Sequence, residues 1–93
     1  MKIRWAAAAR QDRAEVIAYI ASKNPYAALK MDELFSEAVK KLAVFPRLGR
    51  TGRIQNTREL IPHESYCLVY EIDATTNTIW ILALVHTSRQ WPV

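Results

Sequence analysis

The sequence predicts an α+β domain whose elements follow in the order β-α-α-β-β-β, with a helical hairpin packed on one face of a twisted, mostly antiparallel sheet. Two observations predict this fold class. Apolar residues recur with helical spacing through residues 25–45 and then alternate through residues 66–73. An arginine-rich segment, "PRLGRTGRIQNTREL" at 46–60, separates the two halves and holds both glycines of the chain. The length of 93 residues suffices for one modest core, so we expect one domain over residues 1–93.

The chain is predicted to begin with a short strand followed by a helix. Residues 2–5, "KIRW", alternate in polarity, which is typical of a strand. Residues 7–22 are rich in alanine, the best helix former, and carry apolar residues near helical spacing. Asp12 and Glu15 fall in the first half of this helix, where negative charge is favourable for the helix dipole.

A second helix is predicted from Pro25 to Val44. Asn24 is a good N-cap, and proline fits the first helical position because its missing N–H is not needed there. Pro46 ends the helix. The short connection between the helices predicts an antiparallel hairpin. The apolar face of this second helix is predicted to comprise Ala27, Met31, Leu34, Phe35, Ala38, Leu42 and Phe45.

The second half of the chain has the period of two that is typical of strands. Extended segments are predicted at 58–62, 66–73 and 78–86, and the last of these is apolar enough for the centre of a small sheet. Residues 74–77, "ATTN", form a hairpin turn in which Asn77 can adopt positive φ. The alternation predicts one face with Tyr66, Leu68, Tyr70 and Ile72, and another with Cys67, Val69, Glu71 and Asp73. Trp5 and Trp80 are expected in the core.

Composition excludes several classes of protein. The apolar stretch 78–85 is too short to cross a bilayer, and the charged start lacks the apolar region of a secretory leader. The single cysteine, Cys67, cannot form an internal disulfide, which favours a reducing cytoplasm and a buried, inert thiol. His63 and His86 stand too far apart to suggest a metal site. We therefore expect neither metal nor cofactor.

Positive charge is concentrated in the middle of the chain. The net charge is +4, and residues 47–58 carry four arginines without an acid, whereas residues 59–93 carry one arginine against four acids. Such asymmetry suggests an acidic partner, either a nucleic acid or an acidic protein segment. Gly49 and Gly52 are expected to permit the turn from the helical hairpin into the sheet. No phosphate-binding P-loop pattern is present.

Four segments, taken together, resemble the ParE/RelE superfamily of small bacterial toxins from type II toxin–antitoxin modules. They are "AAAARQDRAEVIAYIASKNPYAALK", "FPRLGRTGRIQNTRELI", "YCLVYEID" and the ending "WILALVHTSRQWP". The resemblance implies the fold described above and one of two activities. RelE-like members cleave mRNA in the ribosomal A site, whereas ParE-like members lack the nuclease residues and poison DNA gyrase. Both are held in hetero-oligomers with an antitoxin whose C-terminal segment wraps around the toxin.

RNA cleavage would need a base, an acid and cations for the developing phosphorane charge. By the RelE-like pattern these candidates are Arg58, His63, Tyr66, His86 and Arg89. For both histidines a structural role is the competing interpretation. The question of whether the protein is an enzyme therefore stays open at the level of sequence.

The C-terminal ending favours the ParE-like subgroup. Trp91 and Pro92 stand where RNase members carry a further acid–base residue, and Arg89 is the only basic residue beyond His86. We therefore predict gyrase poisoning, with Arg89, Gln90 and Trp91 as target-binding residues, although the first interpretation of Trp91 by itself is an apolar cap over the end of the sheet. A module that binds antitoxin but has weak or lost toxicity is a further alternative.

The antitoxin is predicted to dock as an amphipathic helix and an extended strand in a groove left by the helical hairpin and the sheet. Antitoxin tails in this superfamily are usually acidic. The resemblance therefore implies that basic residues of this chain bind them. The predicted antitoxin-binding residues are Arg47, Arg50, Arg53, Tyr19 and Tyr26.

Overall fold

The computed structural model describes residues 1–92 and has the predicted order of elements with one addition, a two-residue strand before the first long one of the second half. The elements are β1 (Lys2–Trp5), α1 (Ala7–Lys23), α2 (Pro25–Val44), β2 (Arg50–Thr51), β3 (Thr57–His63), β4 (Tyr66–Asp73) and β5 (Thr78–His86). Neither of these helices is long and apolar enough to cross a membrane.

The five strands form one mixed sheet in the order β1-β5-β4-β3-β2. All neighbours are antiparallel except β1 and β5, which are parallel, with Ile3 opposite Ile79. The prediction of a mostly antiparallel sheet is thus confirmed. The last long strand, predicted at the centre of the sheet, is β5, which is an inner strand beside the central β4. The first and last strands of the chain are neighbours.

The connection between the helices forms as the sequence predicts. Asn24 Oδ1 accepts hydrogen bonds from the backbone N–H groups of Tyr26 (3.1 Å) and Ala27 (3.2 Å), and Pro25 is the first helical residue. These two donors would otherwise have no partner inside the helix, so the cap stabilises its first turn.

The buried side of α2 differs from the predicted apolar face. Leu34 and Phe45 are 40% and 63% exposed. The side of α2 that packs against the sheet is centred on Phe35, so the buried stripe is displaced around the helix from the predicted one. Phe45 is exposed because it lies beyond the last turn of α2. The buried residues of α2 are Ala28, Phe35, Ala38, Val39 and Leu42.

The core lies between the helices and one face of the sheet. Its largest fully buried side chains are Tyr70, Phe35, Leu42, Leu68, Ile79, Ile81 and Val69, with Val69 on the opposite face of the sheet. The two predicted faces of β4 are confirmed, since Leu68 and Tyr70 contact the helices and Cys67 and Val69 do not. Trp5 packs against this core, but Trp80 is only half-buried and lies beside Arg4, outside the core.

An extra residue in β5 shifts its register against β4. Val69 is opposite Ala83 and Tyr70 is opposite Ile81, which leaves Leu82 as the bulge. Beyond Ile81 the outer edge of β5 has no strand partner because β1 ends at Trp5. There the Asp12 carboxylate accepts a hydrogen bond from the backbone N–H of Leu84 at 3.1 Å, so α1 completes the edge of the sheet.

The glycines are needed for space and not for a left-handed backbone. Asn56 and Asn77 take positive φ (67° and 54°), as predicted for Asn77, whereas neither glycine does. A Cβ on Gly49 would lie 2.7 Å from both the hydroxyl oxygen of Tyr70 and the carbonyl oxygen of Glu59. The prediction that the glycines permit a turn is therefore wrong. Their lack of a side chain instead allows the chain to approach β3 and β4 closely.

Candidate functional site

The sheet face turned away from the helices, here called the open face, carries a short apolar strip. Cys67, Val69 and Ala83 form it, and Val85 and Trp91 pack against it. The chain reaches this position through a turn after β5, in which the Arg89 N–H donates to the carbonyl of His86 at 2.9 Å. Trp91 therefore covers the strip, which is the arrangement expected of an apolar cap.

Three arginines converge beside this strip around a cavity of about 260 Å³, here called the arginine cavity. They come from separate parts of the chain: Arg50 from β2, Arg53 from the loop after it, and Arg89 from the C-terminal segment. The other lining residues are Glu59, Ile61, Cys67, Val69, Val85, Thr87, Gln90 and Trp91.

Two contacts hold the arginine cavity together. Both Nε and Nη2 of Arg50 donate to one carboxylate oxygen of Glu59, at 3.1 and 3.0 Å, across the β2–β3 pair. Arg53 Nη1 donates to the Gln90 side-chain oxygen at 2.7 Å, which ties the loop after β2 to the C-terminal segment. The cavity wall is thus built by contacts between residues far apart in sequence.

The thiol in the cavity wall is unreactive. Burial raises the pKa of Cys67 from 9.0 to about 11, and the Glu59 carboxylate adds to the rise while Arg50 opposes it. Since the thiolate is the nucleophilic form, Cys67 is inert at neutral pH, as its place in an apolar alternation predicted.

Tyr66, His86 and Arg89, predicted for RNA cleavage, line a common cavity of about 560 Å³ at the end of β5. The rings of Tyr66 and His86 meet edge to face with centroids 5.6 Å apart, and the His63 ring lies 6.2 Å from Tyr66. Tyr66 also packs edge-on against Phe35 of α2 at 5.8 Å, so this cavity lies on the helix side of the sheet.

Both histidine rings are engaged by the backbone. His63 Nδ1 accepts the N–H of Ser65 at 3.0 Å, and His86 Nδ1 accepts the N–H of Ser88 at 3.1 Å. A ring nitrogen that accepts a backbone N–H carries no proton, so in each neutral ring the proton is on Nε2. Only Nε2 is left to exchange a proton with a ligand.

Arg58 stands apart from the other predicted catalytic residues. It is opposite Tyr70 in the β3–β4 register, and its Nη1 donates to the carbonyl of Gly49 at 2.7 Å and of Arg47 at 3.4 Å. It lines a cavity of about 360 Å³ with Arg47 and Ile72, which contains none of the other four candidates. Its guanidinium holds the segment before β2 against the sheet.

The predicted antitoxin-binding residues lie in three places. Arg50 and Arg53 line the arginine cavity, whereas Arg47 lines the Arg58 cavity. Tyr19 and Tyr26 are 62% and 73% exposed on the helices. Lysine side chains lie over both rings, with Lys23 Nζ at 5.4 Å from the Tyr19 centroid and Lys30 Nζ at 5.9 Å from that of Tyr26.

A groove lies between the two helices, and the sequence alone did not indicate which residues line it. This helix groove, of about 910 Å³, is mostly apolar. Its signal in the sequence is the spacing of small residues, at positions 14, 18 and 21 of α1. The lining residues are Trp5, Arg10, Arg13, Ala14, Ile17, Ala18, Ala21, Pro25, Ala28, Leu29 and Asp32.

One side chain fixes the floor of the helix groove. The Arg13 guanidinium donates from Nε to Asp32 Oδ1 (2.9 Å) and from Nη2 to Ser36 Oγ (2.9 Å). The same guanidinium lies 5.0 Å from the Trp5 ring centroid, a distance suited to a cation–π contact. It therefore joins α1 to α2 and to β1. Across residues 1–92, no group of three His, Cys, Asp or Glu side chains could hold a metal ion.

Comparison with known proteins agrees with this architecture. The chain is 37% identical over 92 residues to the candidate toxin Y4kP of Sinorhizobium fredii, covering 98% of this chain and 93% of that protein. Among solved structures, its fold is similar to a chain of the chromosomal ParDE toxin–antitoxin system from P. aeruginosa (TM-score 0.79, 21% identity, 92% of this chain and 95% of that one). It is also similar to a chain of the toxin–antitoxin complex RelBE2 from Mycobacterium tuberculosis (TM-score 0.64, 25% identity, 91% and 95%).

The family model described as "ParE toxin of type II toxin-antitoxin system, parDE" matches residues 3–91, which is nearly the whole chain. The match spans both helices and all five strands. The chain therefore belongs to the ParE family of toxins from type II toxin–antitoxin systems.

Proposed function

We propose that this toxin arrests bacterial growth in the cytoplasm by poisoning DNA gyrase, and that a cognate antitoxin neutralises it by direct binding. Membership of the ParE family supports a toxin of this subgroup. The choice of gyrase over the ribosome is supported by the way the structure distributes the candidate catalytic residues.

The observation that carries the proposal is the separation of Arg58 from the cavity that Tyr66, His86 and Arg89 share. RNA cleavage requires a base, an acid and cations around one phosphate. The Arg58 guanidinium is directed to the carbonyls of Gly49 and Arg47, and its cavity is not the one that Tyr66, His86 and Arg89 share. Such an arrangement is poorly suited to nuclease chemistry.

The proposed gyrase-binding surface is the C-terminal segment Arg89–Trp91. Its main chain begins with the turn at His86, its middle is held by the Arg53–Gln90 hydrogen bond, and its end packs through Trp91 on the open face. Preformed surfaces bind with a smaller loss of conformational entropy than mobile ones. Exposed Arg89 and partly exposed Trp91 are also residue types that dominate binding energy in protein interfaces.

The proposal is tested by incubating the purified chain with gyrase, ATP and supercoiled plasmid and measuring linear DNA after denaturation. We expect trapped, cleaved DNA with the wild-type chain and at least tenfold less, on the order expected for a lost interface anchor, with Arg89→Ala. Lys40→Ala, which removes a charge from the outer side of α2, is the matched control and should behave as wild type. Absence of linear DNA above the level without toxin, at every toxin concentration, would refute gyrase poisoning.

The ribosomal alternative has one observation in its favour. Tyr66, His86 and Arg89 share a cavity, and the RelBE2 complex is among the similar structures. A translation reaction with purified ribosomes decides this case. Cleavage of mRNA within codons, lost in His86→Ala, would establish the nuclease. Activity in neither reaction would leave a module that only binds antitoxin.

For the antitoxin we propose the helix groove as the docking site of an amphipathic helix. The groove is apolar, and exposed Tyr26 and Leu29 lie on α2, the helix that forms one of its walls. Apolar faces of helices bind in grooves of this kind through residues spaced three and four apart. Arg10, exposed at the groove, offers a partner for an acidic residue that flanks such a helix.

A further inference from the structure

We propose that the arginine cavity binds a backbone phosphate of duplex DNA, so that the toxin contacts the DNA held by gyrase as well as the enzyme. This inference deepens the proposed function and rests on it for the source of the DNA. Its basis is the convergence of Arg50, Arg53 and Arg89 on one concave site of the open face.

The charge of the site selects an anion. Among the described residues that line the arginine cavity, three arginines face a single acid, Glu59. Glu59 is already paired with Arg50 at 3.0 Å, and its side chain is only 17% exposed. The positive charge of the other two arginines is therefore not offset by a carboxylate of the cavity, and a concave wall strengthens its field.

The form of the guanidinium favours phosphate. Arginine presents planar, forked donors that match phosphate oxygens, and its charge persists at every physiological pH. Arg53 is held in place by a neutral acceptor, the Gln90 side chain, so its charge is retained while its position is fixed. The Glu59 carboxylate is satisfied by the fork of Arg50, whereas Arg53 and Arg89 leave two guanidinium groups for the oxygens of a phosphodiester.

The size of the site limits the ligand to a group that projects into it. At about 260 Å³ the arginine cavity is smaller than typical small-molecule sites, which span roughly 300–1,000 Å³. A phosphate with part of its sugar can enter, whereas a base pair cannot. Contacts to phosphate position a protein on DNA without reading its sequence, and we therefore expect binding independent of sequence.

The apolar part of the cavity fits the same ligand. Val69, Val85 and Trp91 form one wall, adjacent to the arginines. Deoxyribose presents apolar C–H groups beside its phosphates, and these can pack on the apolar wall while the arginines hold the phosphate oxygens. Trp91 thereby has a second role beside covering the open face.

The test is fluorescence polarisation of a labelled duplex oligonucleotide titrated with the purified chain at several salt concentrations. For Arg53→Ala we expect duplex affinity about tenfold lower and a salt slope smaller by about one, as for the loss of one charge-assisted phosphate contact. Arg53→Lys should recover part of the affinity, because it keeps the charge without the fork. Lys40→Ala should bind within about twofold of wild type.

Three results would overturn the inference. One is the absence of duplex binding by the wild-type chain; another is an equal loss in Lys40→Ala and Arg53→Ala, which would assign binding to overall charge. The third is displacement of the duplex by single-stranded RNA or a glutamate-rich peptide in preference to unlabelled duplex. The gyrase reaction distinguishes failure of this inference from failure of the proposed function. If the chain binds duplex DNA but traps no cleaved DNA with gyrase, gyrase poisoning alone is refuted. If Arg53→Ala traps cleaved DNA at the same toxin concentration as wild type, the phosphate site alone is refuted.

Discussion

Tyr70 joins the sheet to the segment that leads into β2. It is fully buried, and its hydroxyl donates to the carbonyl of Pro46 at 2.7 Å and accepts the N–H of Gly49 at 2.9 Å. Gly49 leaves room for this approach, as a Cβ there would collide with the hydroxyl. One side chain of β4 thus fixes the path of the chain between the helical and sheet halves.

Tyr70→Phe should lower the free energy of unfolding by about 1–3 kcal/mol, because it leaves a buried N–H and a carbonyl without their partner. Urea denaturation followed by circular dichroism measures the change. Tyr19→Phe, at an exposed ring, is the control and should change stability by less than about 0.5 kcal/mol. Equal stability of the two variants would contradict this role of the hydroxyl.

Cys67 makes stability depend on pH in the alkaline range. Its pKa is raised to about 11 in the folded protein, from 9.0, chiefly by burial. As pH rises past 9, the unfolded chain loses this proton first, so the stabilisation present below pH 9 is lost progressively up to about pH 11. At about 1.4 kcal/mol per pKa unit the loss is at most about 3 kcal/mol. Urea denaturation across this range should give a shallower fall for Cys67→Ala; equal slopes would contradict the assignment.

At the residue scale, local features could be predicted and tertiary ones could not. The Asn24 cap and the positive φ of Asn77 depend on the residues beside them, so the sequence alone identified them. The role of Arg58 depends on the carbonyls of Arg47 and Gly49, which only the folded chain brings to its guanidinium.

At the scale of elements, the C-terminal segment acts as a strap across the open face. The Arg53–Gln90 hydrogen bond and the packing of Trp91 attach it at two points. Most of its contribution to stability should come from Trp91, since apolar burial stabilises more than a polar contact between exposed side chains.

Trp91→Ala should therefore destabilise the fold by about 1–3 kcal/mol through lost burial, and it should accelerate alkylation of Cys67, which is 6% exposed beneath it. Iodoacetamide labelling followed by mass spectrometry measures the accelerated reaction. In Gln90→Ala, which loses only the polar attachment, the labelling rate should stay near that of wild type. A Cys67 labelling rate unaffected by Trp91→Ala would show that the strap does not cover this strip.

The elements themselves were predictable where the periodicity was strong. The alternation of β4 correctly gave both of its faces, whereas the buried stripe of α2 lies further around the helix than predicted. The two-residue β2 is too short to leave a pattern in the sequence. The arginine cavity also escaped prediction, because it depends on the β2–β3 register and on a contact between residues 53 and 90.

At the scale of the whole molecule, the two proposed binding surfaces belong to different layers. The helix groove lies between α1 and α2, whereas the arginine cavity lies on the sheet face turned away from them. Control by the antitoxin and action on the target can therefore be separated by mutation.

Ala18→Glu should abolish neutralisation while leaving growth arrest intact. The residue is exposed in the helix groove, and a carboxylate there opposes burial of an apolar antitoxin face, although glutamate remains a good helix former. The measurements are growth after induction, with and without the antitoxin, and co-purification of the two proteins. Ala8→Glu, on the same helix outside the groove, should still be rescued. Rescue of Ala18→Glu would exclude this groove as the docking site.

The parallel pairing of β1 with β5 also makes completion of the fold wait for the end of synthesis. Ile3 finds its neighbour only when Ile79 has been made, and until then the apolar side of the helical hairpin can meet only the part of the sheet formed by β2, β3 and β4. At translation rates of about 5–20 residues per second, that interval lasts roughly 4–15 s. A nascent chain thus completes its core only after its last strand has been made, and the segment Arg89–Trp91 follows later still.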